Sequence, residues 1–126
     1  MSKKLKKYLS VLLAMVLATG CLSAVVAFAD DSVALNEMNF PDANFRAYLS
    51  ENVDTDGNGV LSVEERDNHP IISVANRGIT SLKGIEYFPN LKNLSCSKNP
   101  LDKLDVSTLT ELTSLTCMAD GLSELN

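Results

Sequence analysis

Leu91-Lys92-Asn93-Leu94-Ser95-Cys96-Ser97-Lys98-Asn99-Pro100-Leu101-Asp102-Lys103-Leu104 decides the fold. Its apolar residues follow the spacing Leu-x-x-Leu-x-Cys-x-x-Asn-x-Leu-x-x-Leu. The same series returns 21 residues later as Leu112, Leu115, Cys117, Asp120, Leu122 and Leu125. One unit earlier, Ile72, Val74, Ile79 and Leu82 stand 22 residues before Leu94, Cys96, Leu101 and Leu104. Three copies at this period are the pattern of leucine-rich repeats. A single unit cannot bury its own apolar row, so the units must stack. Each one places a short strand around Leu94 or Leu115, then a turn, then a return segment. Ile85, Phe88 and Leu91 carry the first return, and Val106, Leu109 and Leu112 the second.

Within the turn, Asn99 and Asp120 hold the position where an amide side chain bonds backbone groups. Asp120 lacks the donor, and Arg77 takes the matching place in the first unit, with Asn76 one residue early. The turn ladder is therefore expected to be imperfect. Leu115, Cys117, Leu122 and Leu125 have no following layer in this sequence, which makes self-association through that open repeat an expectation. The strand-flanking residues Asn93, Ser95, Ser97, Ser114, Thr116 and Met118 are expected to line the concave, partner-binding side. Interface hot spots favour Trp, Tyr and Arg, and this row has none.

N-terminal to the repeats, Asp54-Thr55-Asp56-Gly57-Asn58-Gly59-Val60-Leu61-Ser62-Val63-Glu64-Glu65 has the ligand spacing of an EF-hand calcium loop. Calcium takes six to eight oxygens, which such a loop supplies from positions 1, 3, 5, 7, 9 and 12 around a glycine at 6. Asp54, Asp56 and Asn58 offer side-chain oxygens, Val60 its carbonyl, Ser62 a direct or water-bridged contact and Glu65 a bidentate carboxylate. Gly59 permits the turn. Ordinary polar loops need no Glu at position 12, so Ca2+ is the expected cofactor. A lone extracellular module binds it at ~10⁻⁴–10⁻³ M, suited to a structural ion. Upstream, residues 41–53 read as an amphipathic helix with Phe45, Leu49 and Val53 on one stripe, Tyr48 beside it and Pro41 in the first turn. Downstream, Ser62 and Glu65 also form a capping box for a helix that Pro70 keeps to about two turns.

Lys3, Lys4, Lys6 and Lys7 precede an apolar run from Tyr8 to Ala29 that ends in Ala27-Phe28-Ala29. That is a signal peptide with cleavage expected before Asp30. Lipidation at Cys21 is the second choice, because Ala18 and the apolar residues after Cys21 suit it poorly. Residues 30–126 then carry 7 Lys/Arg against 16 Asp/Glu, a net charge of −9. That excludes a charge-driven grip on nucleic acid and disfavours anionic membranes. No membrane insertion is expected after cleavage.

Cys96 and Cys117 hold equivalent inward positions and read as small buried hydrophobes with free thiols. His69, beside Pro70, reads as a helix-end residue. No phosphate-cradling Gly loop, zinc spacing or nucleophile–base pair is present, so no enzymatic activity is expected.

The combination of Asn39-Phe40-Pro41-Asp42, the calcium loop, Leu82-Lys83-Gly84-Ile85-Glu86-Tyr87-Phe88 and Leu104-Asp105-Val106-Ser107 resembles the internalin-like leucine-rich-repeat proteins of Gram-positive bacteria. The resemblance spans residues 35–126 and departs from the family in its low repeat count and the lack of a C-terminal cap. It implies a helical, EF-hand-like cap over the first repeat and a concave face that binds a protein partner. The expected fold class is thus an α/β solenoid, a short leucine-rich-repeat stack of parallel strands and irregular returns under a small helical cap. The expected organisation is a signal peptide at 1–29, the cap at 30–69 and about two and a half repeats at 70–126. The expected function is that of a secreted or cell-surface, adhesion-type interaction module. Alternatives are a dockerin-like calcium-dependent assembly module, or the non-catalytic N-terminal part of a larger secreted enzyme.

Overall fold

A computed structural model describes residues 31–118 and 122–126. The signal peptide, Cys21, the cleavage position before Asp30, and Asp120 lie outside the described residues. Along the chain the elements are β1 (Val33–Ala34), α1 (Ala43–Asn52), β2 (Val60–Leu61), α2 (Val63–Asp67), β3 (Ile71–Ser73), a 3-10 turn (Ile85–Tyr87), β4 (Asn93–Ser95), β5 (Lys103–Leu104), β6 (Ser114–Thr116) and β7 (Glu124–Leu125). No helix among the described residues is long and apolar enough to cross a membrane.

The repeat spacing becomes a parallel sheet in the order β3-β4-β6. Its register is set by the inward row, with Ile72 opposite Leu94 and Leu94 opposite Leu115. A one-residue slip would turn that apolar row to solvent, so burial fixes the register. Pairing continues past the strands, with the Val74 amide donating to the Ser95 carbonyl at 2.8 Å and the Cys96 amide to the Thr116 carbonyl at 2.9 Å. The returns complete the core with Ile85, Phe88, Leu91 and Leu109 buried and Val106 and Leu112 partly so. Burial fades in the last unit, where Leu115, Cys117 and Leu122 are half-buried and Leu125 is 53% exposed.

Asn99 is buried and serves two turns of the solenoid. Its Oδ1 accepts from the amides of Arg77 (2.9 Å) and Ile79 (3.1 Å), while its Nδ2 donates to the carbonyls of Val74 (2.8 Å) and Cys96 (2.9 Å). One side chain thereby satisfies backbone groups that the irregular turn cannot pair with each other.

The helical cap is organised by Asp42. Its carboxylate accepts from the Phe45 amide at 2.9 Å and caps α1. The helix therefore starts two residues later than the sequence reading of 41–53, and Pro41, expected in the first turn, precedes the cap. The other Asp42 oxygen accepts from the Thr80 amide (2.8 Å) and hydroxyl (3.0 Å), tying α1 to the first repeat. Asn44 donates to the Gly78 carbonyl at 3.1 Å, and the Ser73 amide donates to the Tyr48 hydroxyl at 3.3 Å. Arg77, in the place of a turn amide, instead lays its guanidinium over the Tyr48 ring at 4.9 Å. The cap thus supplies polar partners where the first repeat has no Asn99 equivalent.

Burial raises the Asp42 carboxyl pKa, but the amide bonds from Thr80 and Phe45 outweigh it and hold the group below the ordinary aspartate value. A depressed folded pKa contributes stability above the unfolded value and loses it as pH falls through the folded one. Asp42→Asn should keep much of the helix cap, cost about 1–2 kcal/mol near neutrality and show a flatter stability profile below pH ~4. Urea unfolding at several pH values checks this; an acid limb as steep as that of the unsubstituted protein would refute it.

Candidate metal loop and exposed repeat face

The loop from Asp54 to Glu65 joins α1 to α2. Gly59 turns the chain at φ +77°, a conformation that side chains rarely adopt. Amides inside the loop hold the carboxylates in place. The Asn58 amide donates to Asp54 Oδ1 (3.1 Å) and the Gly59 amide to Asp54 Oδ2 (2.9 Å), while Asn58 also bonds Asp56. Val60 and Leu61 form β2, which pairs antiparallel with β1 through Val33 opposite Leu61 and Ala34 opposite Val60. Val33 and Leu61 are buried, so the short N-terminal strand covers the loop edge.

Glu65 crosses the mouth of the loop. Its Oε1 accepts from the amide (3.0 Å) and hydroxyl (2.9 Å) of Thr55, and its Oε2 from the amide (3.0 Å) and hydroxyl (2.9 Å) of Ser62. The capping box is complete, because the Glu65 amide returns a bond to Ser62 Oγ at 3.2 Å. Asp54 and Glu65 are buried and Asp56 half-buried, and one carboxylate oxygen from each lies within 4.8 Å of the others. Calcium–oxygen bonds of 2.3–2.6 Å place opposed ligands about 5 Å apart, so the donor set fits that ion. Val60 and Ser62 are half-buried on the same loop. Glu65 spends its acceptor sites on Thr55 and Ser62, so an ion would compete with those bonds for its oxygens. His69, at the end of α2, has its Nδ1 2.7 Å from the Glu65 carbonyl oxygen.

On the repeat sheet, Asn93, Ser114, Thr116 and Met118 are exposed and Ser95 and Ser97 half-buried, all on the face opposite the Leu94 row. β3 extends that face with Ile71, opposite Asn93 and 57% exposed, and Ser73, opposite Ser95. These two were not singled out from the sequence, although the 22-residue offset that identifies Ile72 also assigns them. Met118 is 76% exposed, so the face has an apolar residue at two corners and small polar groups between them.

Cys96 and Cys117 are both free thiols, the first buried and the second only half-buried, so the expectation of two buried residues holds for Cys96 alone. Burial, then the hydrogen bond and charge of Cys117, push the Cys96 thiol up to about 12. Thiolate is the reactive form. Iodoacetamide at pH 8 should therefore label Cys117 in the native protein and Cys96 only after denaturation, as read by peptide mass mapping. Equal native labelling of the two would contradict this packing.

No protein-family model matches the chain, and no curated protein does. Solved structures similar to it include three from Listeria monocytogenes. The internalin InlF aligns at 26% identity and a TM-score of 0.59, covering 74% of this chain and 32% of its own. The functional domain of InlJ, described as including a cysteine ladder, aligns at 24% identity and a TM-score of 0.56, covering 75% and 23%. The internalin InlC2 aligns at 23% identity and a TM-score of 0.56, covering 70% and 39%. This chain therefore spans about a third of the length of the first of them. The parallel stack of β3, β4 and β6 and the alignments agree on a leucine-rich-repeat fold of the internalin type.

Proposed function

We propose that this chain is an exported protein-interaction module of a bacterial surface, without catalytic activity, in which the β3-β4-β6 face meets a protein partner and the loop from Asp54 to Glu65 holds one structural calcium ion. The observation that carries the interaction reading is the solvent-open face from Ile71 to Met118 on a hydrogen-bonded parallel sheet. Paired strands hold its side chains in fixed positions, which lowers the ordering cost of association. The likeness to Listeria internalins supports a surface setting. The acidic composition keeps the module off nucleic acid and anionic lipid.

The calcium reading rests on the spacing of Asp54, Asp56, Asn58, Val60, Ser62 and Glu65 and on the convergence of three carboxylates. Competition with Thr55 and Ser62 for Glu65 supports a weak site, in keeping with the ~10⁻⁴–10⁻³ M range of extracellular calcium modules. The open end of the stack, with Leu122 half-buried and Leu125 exposed, is the surface on which a further repeat or a second copy would pack.

Chemical cross-linking on intact cells tests the interaction. The natural protein is compared with a variant carrying Ser95→Arg and Thr116→Arg, two neighbours on the face. Cross-linked products of the natural protein that vanish in the variant, at unchanged melting temperature, are the expected result. The same products from both proteins would overturn the assignment of this face.

A further inference from the structure

The structure carries a second sheet with an open side. Among the described residues β5 pairs only with β7, in parallel, Lys103 opposite Glu124 and Leu104 opposite Leu125. The bonds on that side use the Asp102 and Leu104 carbonyls, which accept from Ser123 (2.8 Å) and Asn126 (2.9 Å), and the Val106 amide, which donates to Asn126 (2.7 Å). Alternation along a strand turns the backbone groups of Lys103 and Asp105 the other way, toward Ser81–Lys83 of the first unit. Among the described residues, no backbone hydrogen bond joins those two stretches. The first unit is diverted there by its own bonds. The Lys83 amide donates to Ser81 Oγ (3.2 Å), the Ile85 amide to the Leu82 carbonyl (3.0 Å) and the Gly84 amide to Glu86 (2.7 Å). A cavity of about 370 Å³ lies between the two stretches, within the range of ligand-sized pockets.

We infer that this slot takes an extended, uncharged peptide segment of a partner protein as an added strand on β5. Outward N–H and C=O groups on a strand edge are matched best by another main chain. The floor of the slot is Leu82, Ile85 and Leu104, which are already buried in the core, so an incoming strand would be held chiefly through its main chain. Around it, Lys83 and Lys103 balance Glu86 and Asp105. Three of those four charges are already engaged, Lys103 with Glu124 at 3.3 Å, Asp105 with Ser107 and Glu86 with Gly84. Balanced and engaged charges select neither an anionic nor a cationic ligand, which leaves recognition to the backbone. The edge belongs to a different sheet from the exposed Ser/Thr row, so it stands or falls apart from the face proposed above.

Amide-resolved NMR of the ¹⁵N-labelled protein with the blocked peptide acetyl-Thr-Val-Thr-Val-Thr-amide tests it. Shifts at the Lys103 and Asp105 amides, with exchange slowed about tenfold, are expected, and the fully N-methylated peptide should produce neither. Asp105→Pro removes one outward N–H at an edge position where proline is tolerated, and should abolish the shifts while melting as Asp105→Ala does, which loses the same Ser107 bonds but keeps the N–H and the binding. No shift at Lys103 and Asp105, shifts confined to the β6 or β7 edges, or equal shifts from the N-methylated peptide would each overturn the inference. Retained binding by a folded Asp105→Pro protein would do the same.

Discussion

Gly84→Ala is expected to destabilise the protein by about 3–5 kcal/mol, through overpacking and backbone strain together. A glycine-to-alanine change usually stabilises slightly where the backbone suits it. Gly84 sits at φ +104°, and a Cβ there would overlap the Cδ1 and Cε1 atoms of Phe40 and come within 2.8 Å of the Asn39 carbonyl oxygen. Phe40 cannot yield, because it is fully buried and packs edge-on against Phe45 (5.9 Å) and Tyr87 (5.7 Å). The close approach of Gly84 to Phe40 is the seam between cap and repeats. A domain of this size loses several degrees of melting temperature per kcal/mol, so the variant should melt at least about 10 °C lower. Combining it with Phe40→Leu should cost less than the sum of the two single changes, since the smaller side chain relieves part of the overlap. Simple additivity would show that the seam is packed differently.

Asn99→Ala should cost about as much, roughly 3 kcal/mol or more, for the opposite reason. Nothing is overfilled; the amides of Arg77 and Ile79 and the carbonyls of Val74 and Cys96 lose their partner in a buried turn. Each buried group left unsatisfied costs about 1–3 kcal/mol, less where water can enter. Asn99→Asp separates the two halves of the role, because the carboxylate still accepts but no longer donates. It should be nearly as damaging, as Val74 and Cys96 would then face a charged oxygen. Guanidinium unfolding of the three proteins measures this, and a loss below 1 kcal/mol for both variants would contradict the double-turn role.

The repeat stack was legible because its signal is periodic. Offsets of 21 and 22 residues assign Ile72, Leu94 and Leu115 to one buried row, and burial then leaves one register. The convergence of Asp54, Asp56 and Glu65 was legible for a related reason, since their spacing is a local property of twelve consecutive residues. What the sequence concealed is the joint between the two. Asp42 pairs with Thr80 across 38 residues, and Gly84 admits Phe40 across 44. Neither pairing repeats along the chain. β1 escaped notice because two residues carry no period, and only the partner Leu61 gives them a role. The 3-10 turn and β5 were merged into irregular returns for the same reason.

Thermal melting with 10 mM calcium against excess chelator tests the metal loop, and with it the secured cap on which the account rests. An ion bound only by the folded loop at ~0.5 mM affinity adds about 2 kcal/mol at that concentration, a rise of roughly 8–15 °C for a domain of this size. Asp56→Ala is the matching control. Asp56 is half-buried and outside the capping box, whereas a change at Glu65 would also unmake the start of α2. The account predicts that calcium raises the melting temperature of the natural protein, that magnesium does so less, and that Asp56→Ala loses the response. Identical melting in calcium and chelator would contradict it.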